Sequence, residues 1–173
     1  MDLLVEFGKI LLPAVAVMYA MYLTVKMFIQ KEWQTQKMSL AQKSTETILP
    51  IRLQAYERMC LFLERISPNN LIVRLNNGEY NAAQFQHVLL AEIREEFNHN
   101  LSQQVYMSDE AWNMVRRAME DLVVKINQAG SEIANDAKAL DLAKRIFDLM
   151  MEQGSDQIQE ALVFIKEEIR QEF

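Results

Sequence analysis

The sequence predicts an all-α protein: a single N-terminal transmembrane helix, a helical stalk, then an up-down bundle of four to five helices. Three observations predict it. Residues 10–29, ILLPAVAVMYAMYLTVKMFI, form the one stretch that asks for a solvent other than water. Glycine and proline are scarce, four and three in 173 residues, which suits long helices joined by short turns. Beyond residue 50 the apolar residues recur at steps of three and four, the period of an α-helix.

A spanning helix needs about 20 mostly apolar residues to cross a hydrocarbon core of about 30 Å. Residues 10–25 carry no charge, and 27–29 complete the length if Lys26 lifts its ammonium to the headgroups. Pro13 falls near the first turn, where a missing N–H costs least. Trp33 lies just past the span, at the place of an aromatic-belt residue, and Lys26, Lys31 and Trp33 are the expected membrane-interface residues. Asp2 and Glu6 against Lys9 is the wrong charge balance for a signal peptide, so the anchor is expected to be retained. Lys26, Lys31, Lys37 and Lys43 follow the span where only Lys9 precedes it. The positive-inside rule then makes 1–9 a short extracytoplasmic tail and places the remainder in the cytoplasm, at the inner membrane. The lone Cys60 fits a reducing compartment.

Residues 30–48 are polar nearly all round, with Trp33 and Met38 among the few exceptions. They read as a solvated helical stalk, or alternatively as a flexible linker. Residues 49–173 form the expected bundle. Net charge is −6, and the charges of residues 1–29 cancel, so the bundle side is acidic and a poor match for nucleic acid.

Pro50 predicts a kink or a new start. Over residues 51–66, Gln54, Glu57, Arg58, Glu64 and Arg65 share a narrow arc, which predicts a helix central to the bundle. Ser67-Pro68 opens a short helix reaching Leu75, with serine as cap. Asn76-Asn77-Gly78 is a turn. Asn81 and Gln84 make a capping box, after which Phe85, Leu89, Ile93, Phe97, Leu101 and Val105 recur every four residues. A strict step of four drifts about 40° per repeat, so the stripe must wind or the helix must break, best at Asn98-His99-Asn100. Ser108 caps the next helix, with Asp109 and Glu110 in its first turn and a stripe through Trp112, Val115, Met119, Leu122, Ile126 and Ala129. Gly130 is expected to end it and Ser131 to cap the following one, striped by Ile133, Ala137, Leu140, Ala143, Phe147 and Met150. Gly154-Ser155 repeats that punctuation before Ile158, Leu162, Ile165 and Ile169.

Chemistry is sparse. Glu96 and His99 have the Glu-x-x-His spacing of bundle metal sites, with Glu92 one turn earlier. Such sites use the motif twice, and His87 has Gln84 where the second glutamate belongs. No Gly-rich phosphate loop or nucleophile context is present. The arginines are interleaved with glutamates and read as ion pairs. No catalytic residue, cofactor or metal is expected. The junction at Asn98, His99, Gln103, Gln104, Tyr106 and Trp112 crowds amides and aromatics between two helices, and is the best candidate for partner binding. The stretches RISPNNLIVRL and EFNHNLSQQVYMSDEAW resemble a family of small bacterial single-span membrane proteins of unknown function. That resemblance covers anchor and bundle and implies an inner-membrane address without any activity. The layout also resembles the stalk subunit b of rotary ATP synthases, but short capped helices replace its long charged one. The expected partners are the bilayer and a protein, or a second copy of the chain. The expected function is a membrane-anchored, non-catalytic adaptor or accessory subunit. The alternative is a sensor or enzyme binding a ligand or metal through Glu92, Glu96 and His99.

Overall fold

The computed structural model describes the backbone of residues 2–154 and 156–171; the side chains of 2–10, 12, 13, 40–42, 44, 45 and 153 fall outside that description. The described residues form α1 (Asp2–Ile66), α2 (Pro68–Leu75), α3 (Ala82–Asn100), a 3₁₀ segment (Leu101–Tyr106), α4 (Asp109–Glu132), α5 (Ala139–Gln153) and α6 (Gln157–Arg170). The chain divides into two compact units, Met1–Leu49 and Pro50–Phe173.

In the first unit every described side chain up to Ile48 is exposed, and the polar stretch 30–47 is helical. Thr24, Thr35 and Thr47 turn their hydroxyls back onto the carbonyls of Ala20, Lys31 and Lys43 at 2.8–3.0 Å. The expected transmembrane span finds no support here: among the described residues no helix is long and apolar enough to cross a membrane. Within residues 14–31 the apolar run is diluted by Tyr19, Tyr22, Thr24, Lys26, Gln30 and Lys31. The side chains of Ile10, Leu12 and Pro13, the apolar start of the expected span, lie outside the described residues.

Pro50 does not break α1, which runs through it; the ring supplies no N–H to the helix ladder, yet its fixed φ is compatible with one. In the second unit, residues 50–66 bury Tyr56, Met59, Phe62, Leu63 and Ile66 in one core with Leu71, Phe85, Leu89, Ile93, Val115, Leu122, Leu142, Ile146, Leu162 and Ile165. α4 packs on α3, α5 and α6, and α3 also meets α2 and α5. Ser67 precedes Pro68 as expected, but its hydroxyl donates to Glu64 O at 2.8 Å and does not cap α2. Asn76 and Asn77 accept from the amides of Gly78 and Glu79, and Gly78 takes a positive φ of 78°.

The Asn81–Gln84 capping box forms in both directions, and Ser108 Oγ accepts from Ala111 N at 3.0 Å. The four-step stripe of α3 buries Phe85, Leu89 and Ile93 and leaves Leu101 and Val105 exposed. Drift carries them off the core face, and the α-helix stops at Asn100.

The expected stop at Gly130 is not made. α4 continues to Glu132, and Ser131 donates to Gln128 O at 2.7 Å, so it caps nothing. Gly130 lies inside the helix, and the Gln86 side chain of α3 occupies the space a Cβ there would take, on its way to Asn127 Oδ1 at 3.1 Å. Arg145 of α5 reaches back to Glu132 and holds this extra turn. The hairpin to α5 then needs a real loop, residues 133–138. Its carbonyls at Asn135 and Ala137 accept from Ala83 N and Ala82 N (3.3 and 2.8 Å), two of the α3 amides that have no partner inside their own helix. The stripe of α5 shifts accordingly to Ala139, Leu142, Ala143, Ile146 and Leu149, with Leu140 exposed. Gly154 ends α5 in the left-handed region, φ 64°. Ser155 lies outside the described residues, and the cap of α6 is Asp156, accepting from Ile158 N and Gln159 N at 3.1 Å.

Candidate functional site

Residues 54, 57, 58, 61, 62 and 65 fall at steps of three and four, so one face of α1 carries Gln54, Glu57, Arg58, Leu61, Phe62 and Arg65 side by side. Glu96, His99 and Asn100, from the last turn of α3, form the opposite wall of a groove of about 350 Å³. Its electrostatics are set by a ladder of ion pairs. Arg65 lies 2.5 Å from Glu96 and 3.8 Å from Glu92, and Arg74 of α2 lies 2.5 Å from Glu92. Exposed pairs of this kind are individually worth about 0–1 kcal/mol. Here they tie three helices across one edge, and the two glutamate side chains are about four-fifths buried.

This arrangement bears on the metal candidates. Glu92 and Glu96 are each engaged by an arginine, and His99 sits exposed on the same rim. A cation here would have to displace two guanidinium groups. Among the described residues no group of three His, Cys, Asp or Glu is placed to hold a metal ion.

The partner-binding candidates divide. Asn98, Gln104 and Tyr106 are exposed and Gln103 is half-buried, spread along the end of α3 and the 3₁₀ segment. That segment buries none of its own side chains. It is pinned at its start by Asn100, buried, with Nδ2 on Glu96 O at 2.9 Å. At its end, Met107 is buried and Arg52 Nε donates to Tyr106 O at 3.3 Å. Between the pins Val105, 75% exposed, and Leu101 face solvent. Trp112 is not part of this surface. It is half-buried and stacks on Phe97 (5.4 Å, 24°), which meets Phe62 at 5.9 Å, so it belongs to the core edge behind the groove.

Two polar features were not legible in the sequence. Tyr56 Oη donates to Glu168 Oε1 at 2.8 Å across 112 residues, and Glu168 Oε2 is buried without a hydrogen-bond partner among the described residues. Burial, then the Glu168 bond, holds the Tyr56 phenol above its ordinary range, with Arg52 acting the other way. In α4, Lys125 is buried and its Nζ lies 2.7 Å from Asp121 Oδ2. A signal for it existed: Lys125 is three residues after Leu122 and four before Ala129, both on the buried stripe. Cys60 is half-buried, and burial raises its thiol above the ordinary value.

A family model covers residues 2–172, both units together, and its description is family of unknown function (DUF7935). No match was found among curated proteins or among solved structures.

Proposed function

The chain belongs to that family of unknown function, and we propose that it serves as a membrane-anchored, non-catalytic adaptor or accessory subunit of a membrane protein complex. In this reading the apolar run of α1 lies in a bilayer with the N-terminus outside. The second unit is then cytoplasmic and offers the α1–α3 groove and the neighbouring 3₁₀ segment to a protein partner.

The observation that supports the reading is the exposure of residues 14–29. Val17 (67%), Met18 (71%) and Phe28 (68%) stand on a mostly apolar surface that no other element among the described residues of the first unit covers. A helix that is apolar on every side needs an apolar surrounding, and a patch of this extent marks a membrane or a partner. Thr24 fits such surroundings because its hydroxyl is satisfied by Ala20 O. The dilution by Tyr19, Tyr22, Thr24 and Lys26 favours a second reading, in which helices of a partner cover this run. The sensor or enzyme alternative draws no support from Glu92 and Glu96, which are held by arginines.

The test is alkaline carbonate extraction of membranes carrying the full-length, C-terminally tagged chain, followed by purification in mild detergent. Retention in the carbonate-washed membrane with a defined co-purifying assembly supports the anchor and the adaptor role. Release into the supernatant favours the partner-covered helix. Val105→Asp with Tyr106→Ala, both on the exposed segment, should lose the partner while the fold is kept. Unchanged co-purification would remove that surface from consideration.

A further inference from the structure

We propose that residues 26–37 of α1 form a contact zone for an anionic lipid surface; the inference rests on the membrane reading and names the lipid class it would meet. At the end of the apolar run, Met27, Gln30, Lys31 and Gln34 share one helix face at steps of three and four. With Trp33 they line a shallow surface notch of about 480 Å³. Along that face the chemistry changes in the order a bilayer surface does: a thioether first, then side-chain donors. Gln30 and Gln34 offer amide N–H groups, Lys31 an ammonium, and Trp33, 62% exposed, an indole N–H. All four can donate to phosphate oxygens.

Charge makes the choice between lipid classes. The chain carries −6 in all, yet residues 26–37 hold Lys26, Lys31 and Lys37 against the single acid Glu32. Glu32 lies beside the notch, off its lining, and accepts from Gln36 Nε2 at 3.4 Å. A locally basic collar on an acidic chain, continuous with an apolar run and marked by an exposed tryptophan, matches a negatively charged headgroup layer. A zwitterionic layer offers phosphate oxygens as well, but no net charge to attract the lysines. Juxtamembrane lysines each strengthen attraction to anionic lipid by about fivefold, and salt weakens the effect.

The experiment uses the full-length chain reconstituted into vesicles of phosphatidylcholine, with a minority of either brominated phosphatidylglycerol or brominated phosphatidylcholine. Flotation at high salt reads anchoring, and quenching of Trp33 reads the local lipid. The Trp33→Phe chain supplies the Trp112 background. The expected result is stronger quenching by the brominated phosphatidylglycerol, falling as salt rises and reduced several-fold by Lys26→Gln with Lys31→Gln. Equal quenching by both lipids in a floating chain overturns the lipid-class inference and leaves the anchor standing. An unquenched Trp33 in a floating chain overturns it too, because the zone then lies off the surface. A chain that floats in neither vesicle overturns the anchor and the inference together.

Discussion

Replacing Asp121 by alanine should damage this protein far more than replacing the lysine it serves. Lys125 is 1% exposed and its ammonium lies 2.7 Å from Asp121 Oδ2, one turn earlier on α4. Breaking a buried pair by removing one partner typically costs about 3–5 kcal/mol, because the remaining charge has neither water nor counter-ion. Asp121 is itself one-third exposed, so water can enter where its carboxylate was. That lowers the expected loss for Asp121→Ala to about 2–3 kcal/mol. Lys125→Met removes the buried charge and keeps most of the volume, while Asp121 turns to solvent; the expected change is within about 1 kcal/mol of zero. The double variant should therefore resemble Lys125→Met, giving a coupling of about 2 kcal/mol. Urea unfolding followed by Trp112 fluorescence reads the second unit, because Trp112 stacks on Phe97 at its core; Trp33→Phe removes the competing signal. An Asp121→Ala chain within about 0.5 kcal/mol of the parent would refute the reasoning, since the Lys125 ammonium would then be finding water by itself.

Two further outcomes are expected. Tyr56 has a folded-state pKa raised above 10.0 by burial and by the bond to Glu168. Its contribution is fully present below pH 10.0 and is lost as pH rises through the folded value, because the unfolded chain releases the proton first. The urea midpoint of the parent should thus fall more steeply as pH rises above 10.0 than that of Tyr56→Phe, which starts about 1–2 kcal/mol lower for want of the Glu168 bond; parallel curves would contradict the assignment. Gly154→Ala should cost about 1 kcal/mol, because a Cβ is strained at φ 64° although open space surrounds it. An unchanged melting temperature would mean that the end of α5 relaxes around the new side chain.

Sequence spacing was enough to group residues that share a single helix face. The polar arc of residues 54–65 becomes one wall of the groove, and Glu92, Glu96 and His99 share the opposite edge. Spacing predicted that arginines and glutamates pair, but it could not choose Arg65 and Arg74 for Glu96 and Glu92 or stack Trp112 on Phe97, since those depend on which helix faces them.

The sequence by itself determined the helical class and most of the helix ends. The Asn81–Gln84 box, the Ser108 cap and the turn at Gly78 each involve a few neighbouring residues and their own backbone hydrogen bonds, so local chemistry settles them. The same holds for the break at Asn100, which follows from an arithmetic mismatch between a step of four and a turn of 3.6. Only the tertiary structure decided that Gly130-Ser131 stays helical, that Lys125 is buried and that Tyr56 meets Glu168. In each case the contact comes from another helix: Arg145 of α5 on the extra turn at Glu132, the bundle around Lys125, α6 against α1. The glycine and the tyrosine carry no local mark of those neighbours, and Lys125 carries only its place on the stripe between Leu122 and Ala129.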